Sequence, residues 1–122
     1  MNLLLLSQDL MISARVTGAA RQHGLRVITV TDHNNAIVAA ADENSRILLV
    51  DLRLPGLNIG ALVGAVRDCR EEHLPIVACG PHVHEARLAA AREAGCDAVV
   101  TRGQFDREAE AILKEVTNGS NS

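Results

Sequence analysis

The sequence predicts an α/β fold: a doubly wound parallel sheet of five strands with helices on both faces, forming a three-layer sandwich. Five short apolar runs recur along the 122 residues, and their continuous hydrophobicity is typical of strands covered on both faces. Helical patterns separate the runs, and this alternation favours right-handed crossovers in an open sheet. The runs are residues 3–6, 25–30, 47–50, 76–79 and 96–101.

The first half of the chain contains two predicted helices. Ile12, Val16 and Ala19 repeat at helical spacing, and Gly24 is suited to end that helix in the left-handed conformation. The segment 34–43 has a weaker apolar stripe and predicts a second helix. The opening run of leucines is too short to span a membrane and follows no basic segment, so it predicts a buried strand and no membrane or secretion segment.

Three further helices are predicted in the second half. An apolar stripe over residues 59–69 indicates the third, and the alanine-rich stretch 85–94, which Gly95 ends, indicates the fourth. Residues 105–116 form the fifth amphipathic pattern. We expect one domain over residues 1–117, because compact domains most often contain about 100–150 residues, and a disordered tail over residues 118–122.

The composition argues against several classes of function. Phe105 is the only aromatic residue, which leaves almost no means of stacking on bases or sugars. The formal net charge of −3 provides no general attraction to a phosphate backbone, so nucleic acid is not an expected partner. Cys69, Cys79 and Cys96 are odd in number and lack paired spacing, which argues against a disulfide framework or a structural zinc site and favours the cytoplasm.

The residues that follow each apolar run are the candidates for a functional site. In open parallel sheets the functional crevice lies beyond the carboxyl ends of the strands. The candidates are Ser7, Gln8 and Asp9; Thr31 and Asp32; residues 51–56; Gly80 and Pro81; and Arg102 and Gly103.

Three segments carry a family resemblance. Residues 49–56 read Leu-Val-Asp-Leu-Arg-Leu-Pro-Gly, residues 75–78 read Pro-Ile-Val-Ala and residues 94–98 read Ala-Gly-Cys-Asp-Ala. With these matches, residues 2–116 resemble the receiver domain of bacterial response regulators, of the chemotaxis, flavodoxin-like type. The resemblance implies a strand order of 2-1-3-4-5. It also implies that Asp51 stands at the phosphoacceptor position, which receives a phosphoryl group from a partner histidine or a small donor.

The residues at the metal position depart from the family pattern. Receiver domains carry two adjacent acids after the first strand, because Mg²⁺ prefers anionic oxygen ligands. Here the aligned residues are Ser7 and Gln8, with Asp9 one step later, where it also suits the cap of the first helix. We therefore expect weak Mg²⁺ binding and no other cofactor, with Asp9 and Asp51 as the only acids available to a metal.

The switch and lysine positions also differ. The family's hydroxyl residue after the fourth strand aligns with Gly80, its aromatic switch residue with Val99, and its lysine after the fifth strand with Arg102. An arginine has forked donors that suit a carboxylate or a phosphate, but it does not reproduce an ammonium's geometry. We expect Asp51 to persist as a buried carboxylate that is paired with Arg102.

Two further patterns are weaker. His82 and His84, with Cys79 nearby, suggest a metal site, although the absence of a third ligand at defined spacing favours a solvated loop. In receiver domains the fourth helix, fifth strand and fifth helix form a dimer or partner surface, and this chain places charged residues there. The predicted ion-pair interface consists of Arg87, Arg92, Arg107, Glu93, Asp106 and Glu108.

The leading hypothesis is a degenerate receiver domain of a two-component or phosphorelay signalling protein. It would be non-enzymatic and would act in the cytoplasm by binding a partner protein or itself; an output domain and a histidine kinase are candidate partners. One alternative is a working receiver, phosphorylated on Asp51 with weakened Mg²⁺ binding. Another is a flavodoxin-like binder of a small ligand, although no Gly-rich phosphate loop follows the first strand.

Overall fold

A computed structural model describes residues 1–119 of the chain, which form five parallel strands and five helices in strict alternation. The strands are β1 (Asn2–Leu6), β2 (Arg26–Val30), β3 (Ser45–Asp51), β4 (Ile76–Gly80) and β5 (Ala98–Thr101). The helices are α1 (Leu10–Gln22), α2 (His33–Ala40), α3 (Ile59–Asp68), α4 (Glu85–Ala94) and α5 (Arg102–Gly119).

The sheet has the strand order β2-β1-β3-β4-β5, and every neighbouring pair is parallel. This confirms the predicted fold class and strand order. Leu6 pairs with Val50, and Asp51 pairs with Cys79. This register places the residue after β1, the last residue of β3 and the end of β4 side by side at the carboxyl edge of the sheet.

Both faces of the sheet are buried, as the unbroken apolar runs predict. Successive residues of a strand point to opposite faces, so Leu4 and Leu6 pack under α2, α3 and α4, whereas Leu3 and Leu5 pack under α1 and α5. All four leucines have no exposed surface. Phe105 is also fully buried, between the sheet and α1.

Glycines end two helices in the predicted way. Gly95 forms the left-handed C-cap of α4 with φ 93°, and Gly24 follows α1 with φ 67°. Positive φ is strained for residues with a Cβ, so these glycines stop the helices at little cost.

The last helix differs from its prediction at both ends. It begins at Arg102, directly after β5, because the Thr101 hydroxyl caps it by accepting the Gln104 N–H at 3.1 Å. It continues to Gly119, so the predicted disordered tail overlaps it by two residues, and residues 120–122 lie outside the described residues. The helix is kinked at Glu108, where φ is −127° and ψ is 23°.

In the part of the chain that the structure describes, no helix has both the length and the apolar character required to cross a membrane.

Candidate functional site

Asp51 lies at the carboxyl end of β3 and is 5% exposed. Its Oδ2 accepts a hydrogen bond from the Ser7 hydroxyl at 2.7 Å, and its Oδ1 accepts one from the Arg53 backbone N–H at 2.9 Å. Ser7 is itself 2% exposed and also accepts the backbone N–H of Asp9 at 3.0 Å. Neutral donors of the chain therefore satisfy both oxygens of this buried carboxylate.

Asp9 caps the first helix, as one of the two sequence interpretations predicts. Its Oδ1 accepts the Met11 N–H at 2.8 Å, which satisfies a backbone donor that the helix start leaves unpaired. Its Oδ2 accepts a hydrogen bond from Arg102 Nη1 at 3.2 Å. The Met11 N–H and then the Arg102 guanidinium lower the pKa of the Asp9 carboxyl below its usual value.

The predicted pairing of Asp51 with Arg102 is wrong. Arg102 binds Asp9 through Nη1 and Asp106 through Nε, the latter at 3.1 Å, and no ion pair joins it to Asp51 among the described residues. Asp106 is four residues further along the same helix, a spacing that brings side chains together. Burial by itself lowers the pKa of Arg102. The hydrogen bonds to Asp106 and Asp9 raise this pKa by more than burial lowers it, so the net shift is upward.

The donor set does not fit a resident Mg²⁺ ion. Of the two carboxylates available, Asp51 accepts two hydrogen bonds and Asp9 is occupied by a helix cap and a guanidinium. The Gln8 amide donates instead to the carbonyl of Thr31 at 3.4 Å. A magnesium site requires near-octahedral oxygen ligands, so the ion would have to displace Arg102 and break the local hydrogen bonds.

Several sequence candidates line one pocket at the carboxyl edge. The pocket has a volume of about 280 Å³. Its lining residues are Asp51, Arg53, Cys79, Gly80, Pro81, His82, Arg102 and Gly103. The structure thus brings together Asp51 at the end of β3, Gly80 at the end of β4 and Arg102 directly after β5. A larger depression of about 480 Å³, beside Asp97 and Ile112, lies elsewhere and contains none of the candidates.

Gly80, at the switch-hydroxyl position, is closely packed. A Cβ atom at this residue would lie 3.2 Å from both Cβ and Cδ1 of Leu52 and 3.6 Å from Cδ2 of Leu88. Leu52, which follows Asp51 directly, is 2% exposed. The chain therefore lacks the hydroxyl, and a leucine side chain also fills the space that such a residue would use.

Val99, at the aromatic switch position, is a half-buried residue of β5. It packs against the core cluster on the side of α2, α3 and α4. Its branched side chain has a single stiff χ1 torsion and no ring that could turn between a buried and an exposed position.

A metal site around Cys79 is not formed. Burial raises the pKa of the Cys79 thiol to about 12, so it remains protonated at neutral pH, whereas metals bind the thiolate. His82 is exposed and lines the pocket, and the Nδ1 atom of His84 is buried without a hydrogen-bond partner. Within residues 1–119, no three His, Cys, Asp or Glu side chains lie close enough together to hold an ion.

Two of the six residues of the predicted charged interface are engaged in contacts within the chain. Arg87 donates to the carbonyl of Leu52 at 3.0 Å and Asp106 binds Arg102, so both serve contacts within the chain. The remaining four residues are exposed and form no ion pair with any described residue. They are Arg92, Glu93, Arg107 and Glu108.

Sequence reasoning missed three parts of the site. It treated Ser7 only as a remnant metal ligand, although its hydroxyl binds Asp51. It assigned Asp106 to a partner surface, although the four-residue spacing from Arg102 was a signal for an ion pair within the helix. It did not consider Leu52, whose packing against Gly80 no spacing in the sequence indicates.

Comparison with solved structures identifies the fold class. The receiver domain of the sensor histidine kinase PA1611 from Pseudomonas aeruginosa, solved with a magnesium ion in its active-site cleft, matches with a TM-score of 0.80 and 22% identity over 96% of this chain and 97% of that one. NtrX from Brucella abortus matches with a TM-score of 0.82 and 20% identity over 98% of this chain and 28% of that one. The receiver domain of TorR matches with a TM-score of 0.79 and 19% identity over 93% of each chain.

The chain therefore has the flavodoxin-like fold of response-regulator receiver domains. No protein-family model and no curated protein matches its sequence. At these identities the likeness concerns the fold, and the function has to be argued from the site.

Proposed function

We propose that this chain is a degenerate receiver domain, which signals by binding a partner protein or a second copy of itself, with little or no phosphorylation of Asp51. The proposal rests on the hydrogen bonds and ion pairs that already engage Asp51 and Arg102 in the pocket. The Ser7 hydroxyl and the Arg53 backbone N–H donate to Asp51, while Asp9 and Asp106 form ion pairs with Arg102, which lines the same pocket.

Phosphoryl transfer to a carboxylate requires cationic groups around the phosphoryl oxygens, because the nucleophile and the phosphoryl group repel each other. Of the two arginines that line this pocket, Arg102 is paired with two other carboxylates, and the donor set does not fit Mg²⁺. Asp51 would also have to give up the Ser7 hydrogen bond at 2.7 Å to use Oδ2 as a nucleophile. These features support a structural role for Asp51.

The proposed interaction surface consists of α4, β5 and α5. Arg92, Glu93, Arg107 and Glu108 supply both signs of charge on the exposed sides of the two helices, and they remain available to a partner. Complementary charges at an interface mainly determine partner choice and association rate. An output domain of a longer signalling protein, a histidine kinase or a second receiver domain would each fit such a surface.

One observation favours the alternative of a working receiver. Asp51 ends the central strand β3 and lines an open pocket together with Arg53 and Arg102, which is the placement that a phosphoacceptor requires.

Acetyl phosphate with Mg²⁺, followed by intact-mass measurement, separates the two functions. The proposal predicts no phosphorylated species in the native chain or in the Asp51→Asn control. A phosphorylated species in the native chain that is absent from the control would support the working receiver instead.

A further inference from the structure

Asp106 joins two arginines at the start of α5. Its carboxylate accepts from Arg102 Nε at 3.1 Å, and its backbone carbonyl accepts from Arg15 Nε at 3.0 Å. Arg102 lies at the edge of the Asp51 pocket, and Arg15 lies in the middle of α1. One residue of α5 therefore links the pocket edge to the neighbouring helix.

Arg15 spans the kink in α5. Besides the carbonyl of Asp106, it binds both carboxylate oxygens of Glu110, at 2.8 and 3.0 Å. Asp106 precedes the kink residue Glu108 and Glu110 follows it. A bidentate guanidinium–carboxylate pair has a well-defined geometry, so this contact fixes the helix segment after the kink more firmly than the segment before it.

The segment before the kink, residues 102–107, is anchored in the core by Phe105 and joined to the α1 side by polar contacts of Arg102 and Asp106. Its contacts with α1 are the ion pair of Arg102 with Asp9, the bond from Arg15 to the Asp106 carbonyl, and the packing of Phe105. The side chains of Arg102, Asp9 and Asp106 are 26%, 28% and 47% exposed. Ion pairs that are this accessible to water are weak individually, so a modest change at the pocket is sufficient to break them.

We propose that Arg102 is a latch: its ion pairs with Asp9 and Asp106 at the pocket edge fix the first segment of α5, and drawing Arg102 away from them frees that segment. An anionic oxygen that enters the pocket competes with these two carboxylates for Arg102. The inference rests on the proposed function, because the freed segment includes Arg107 on the proposed interaction surface.

The latch provides a route from the pocket to that surface through α1 and α5. The two switch positions that the family resemblance assigns to β4 and β5 lack the side chains for a second route. Gly80 has no hydroxyl, and Val99 has no ring. Coupling between two sites requires an element with two arrangements that both sites influence. In this proposal the kinked start of α5 is that element, held in one arrangement by the ion pairs of Arg102 and released to a second when they break.

Asp9→Asn tests the latch with minimal damage to α1, because asparagine caps a helix as well as aspartate does. We expect exchange of the protected amides among residues 103–107 to accelerate by about three- to fivefold, through local opening of the segment, because an exposed ion pair contributes little on its own. At residues 11–14 the change should stay below about twofold, because the cap is retained. Unchanged exchange at residues 103–107, or uniform acceleration over the whole chain, would overturn the proposal.

Asp106→Asn breaks the other ion pair but keeps the carbonyl that Arg15 binds. The latch predicts the same faster exchange at residues 103–107, and no such change in the matched control Glu115→Gln, an exposed carboxylate of α5 that forms no ion pair with a described residue. Equal exchange in the two variants would contradict the latch. No phosphodonor is used, so failure here leaves the proposed function standing, whereas a phosphorylated Asp51 would contradict that function and leave the latch intact.

Discussion

The hydroxyl of Ser7 donates a 2.7 Å hydrogen bond to Oδ2 of Asp51, and both side chains are buried. The parallel register of β1 and β3 creates this contact. Leu6 pairs with Val50, so the residues that follow them, Ser7 and Asp51, lie side by side. A serine thus supplies a hydrogen bond to the carboxylate at the position where a receiver domain would carry an acid that binds a metal. Together with the Arg53 backbone N–H, this hydroxyl gives each oxygen of the buried carboxylate one hydrogen bond from the chain itself.

The first prediction concerns this hydrogen bond. Ser7→Ala removes one of the two donors of a buried carboxylate, and an unsatisfied buried acceptor of this kind costs about 1–3 kcal/mol. We expect the free energy of unfolding in urea to fall by that amount. Ser13→Ala is the matched control, because the hydroxyl of Ser13 makes no hydrogen bond with a described residue and alanine favours the helix. Equal stability of the two variants would show that the Ser7 contact does not stabilise the fold.

The second prediction concerns the space beside Gly80. Gly80→Ser restores a hydroxyl at the switch position but brings a Cβ against Leu52 at 3.2 Å, and overpacking in a core costs about 1–3 kcal/mol. Leu52→Ala removes Cδ1 of the obstructing side chain, so the two substitutions should be less destabilising together than the sum of their separate effects. Denaturant unfolding of the single and double variants measures this coupling.

Gly64→Ser is the control for the second prediction. Gly64 lies within α3 with no heavy atom within 4 Å of a Cβ placed on it, so serine should be tolerated there without loss of stability. Additive effects of Gly80→Ser and Leu52→Ala would mean that Cδ1 of Leu52 is not the obstacle.

The third prediction concerns the pH dependence of the contact between α1 and α5. The hydrogen bonds from Arg15 lower the pKa of the Glu110 carboxyl from 4.5 to about 2. Because the folded-state pKa is depressed, the stabilisation is fully present above pH 4.5 and is lost as the pH falls towards 2. The melting temperature of Glu110→Gln should therefore lie below that of the native chain at pH 6, and the difference should shrink between pH 4.5 and pH 2. A difference that stays constant over this range would contradict the assignment.

Much of the fold could be predicted from the sequence, because the patterns that specify it are local. Unbroken apolar runs indicated strands with two covered faces, and Gly24 and Gly95 marked where helices end. The start of α5 was misplaced by three residues, since its cap is Thr101, a residue that the apolar run assigned to the strand. The strand order depended on the family resemblance and not on any pattern in the chain.

The site was predicted less completely, because its contacts join distant segments. The alignment of strand ends brought Asp51, Gly80 and Arg102 to one pocket, as expected. The predicted partner for Arg102 was wrong. Arg102 pairs with Asp106 in the same helix and with Asp9 at the start of α1. Asp51 is buried and already accepts hydrogen bonds from neutral donors. Competition of this kind depends on distances and burial, which spacing in a sequence does not give.

The central claim, that Asp51 is a structural carboxylate and not a working phosphoacceptor, is tested most directly by adding Mg²⁺ and beryllofluoride, a phosphoryl mimic, while recording backbone amide NMR spectra. Asp51→Asn is the control. Our account predicts that the amide signals of residues 51–54 and 102–104 show no saturable shift at millimolar Mg²⁺ in either protein. Saturable shifts in the native chain that vanish in the control would show that the acceptor site works, and would contradict the account.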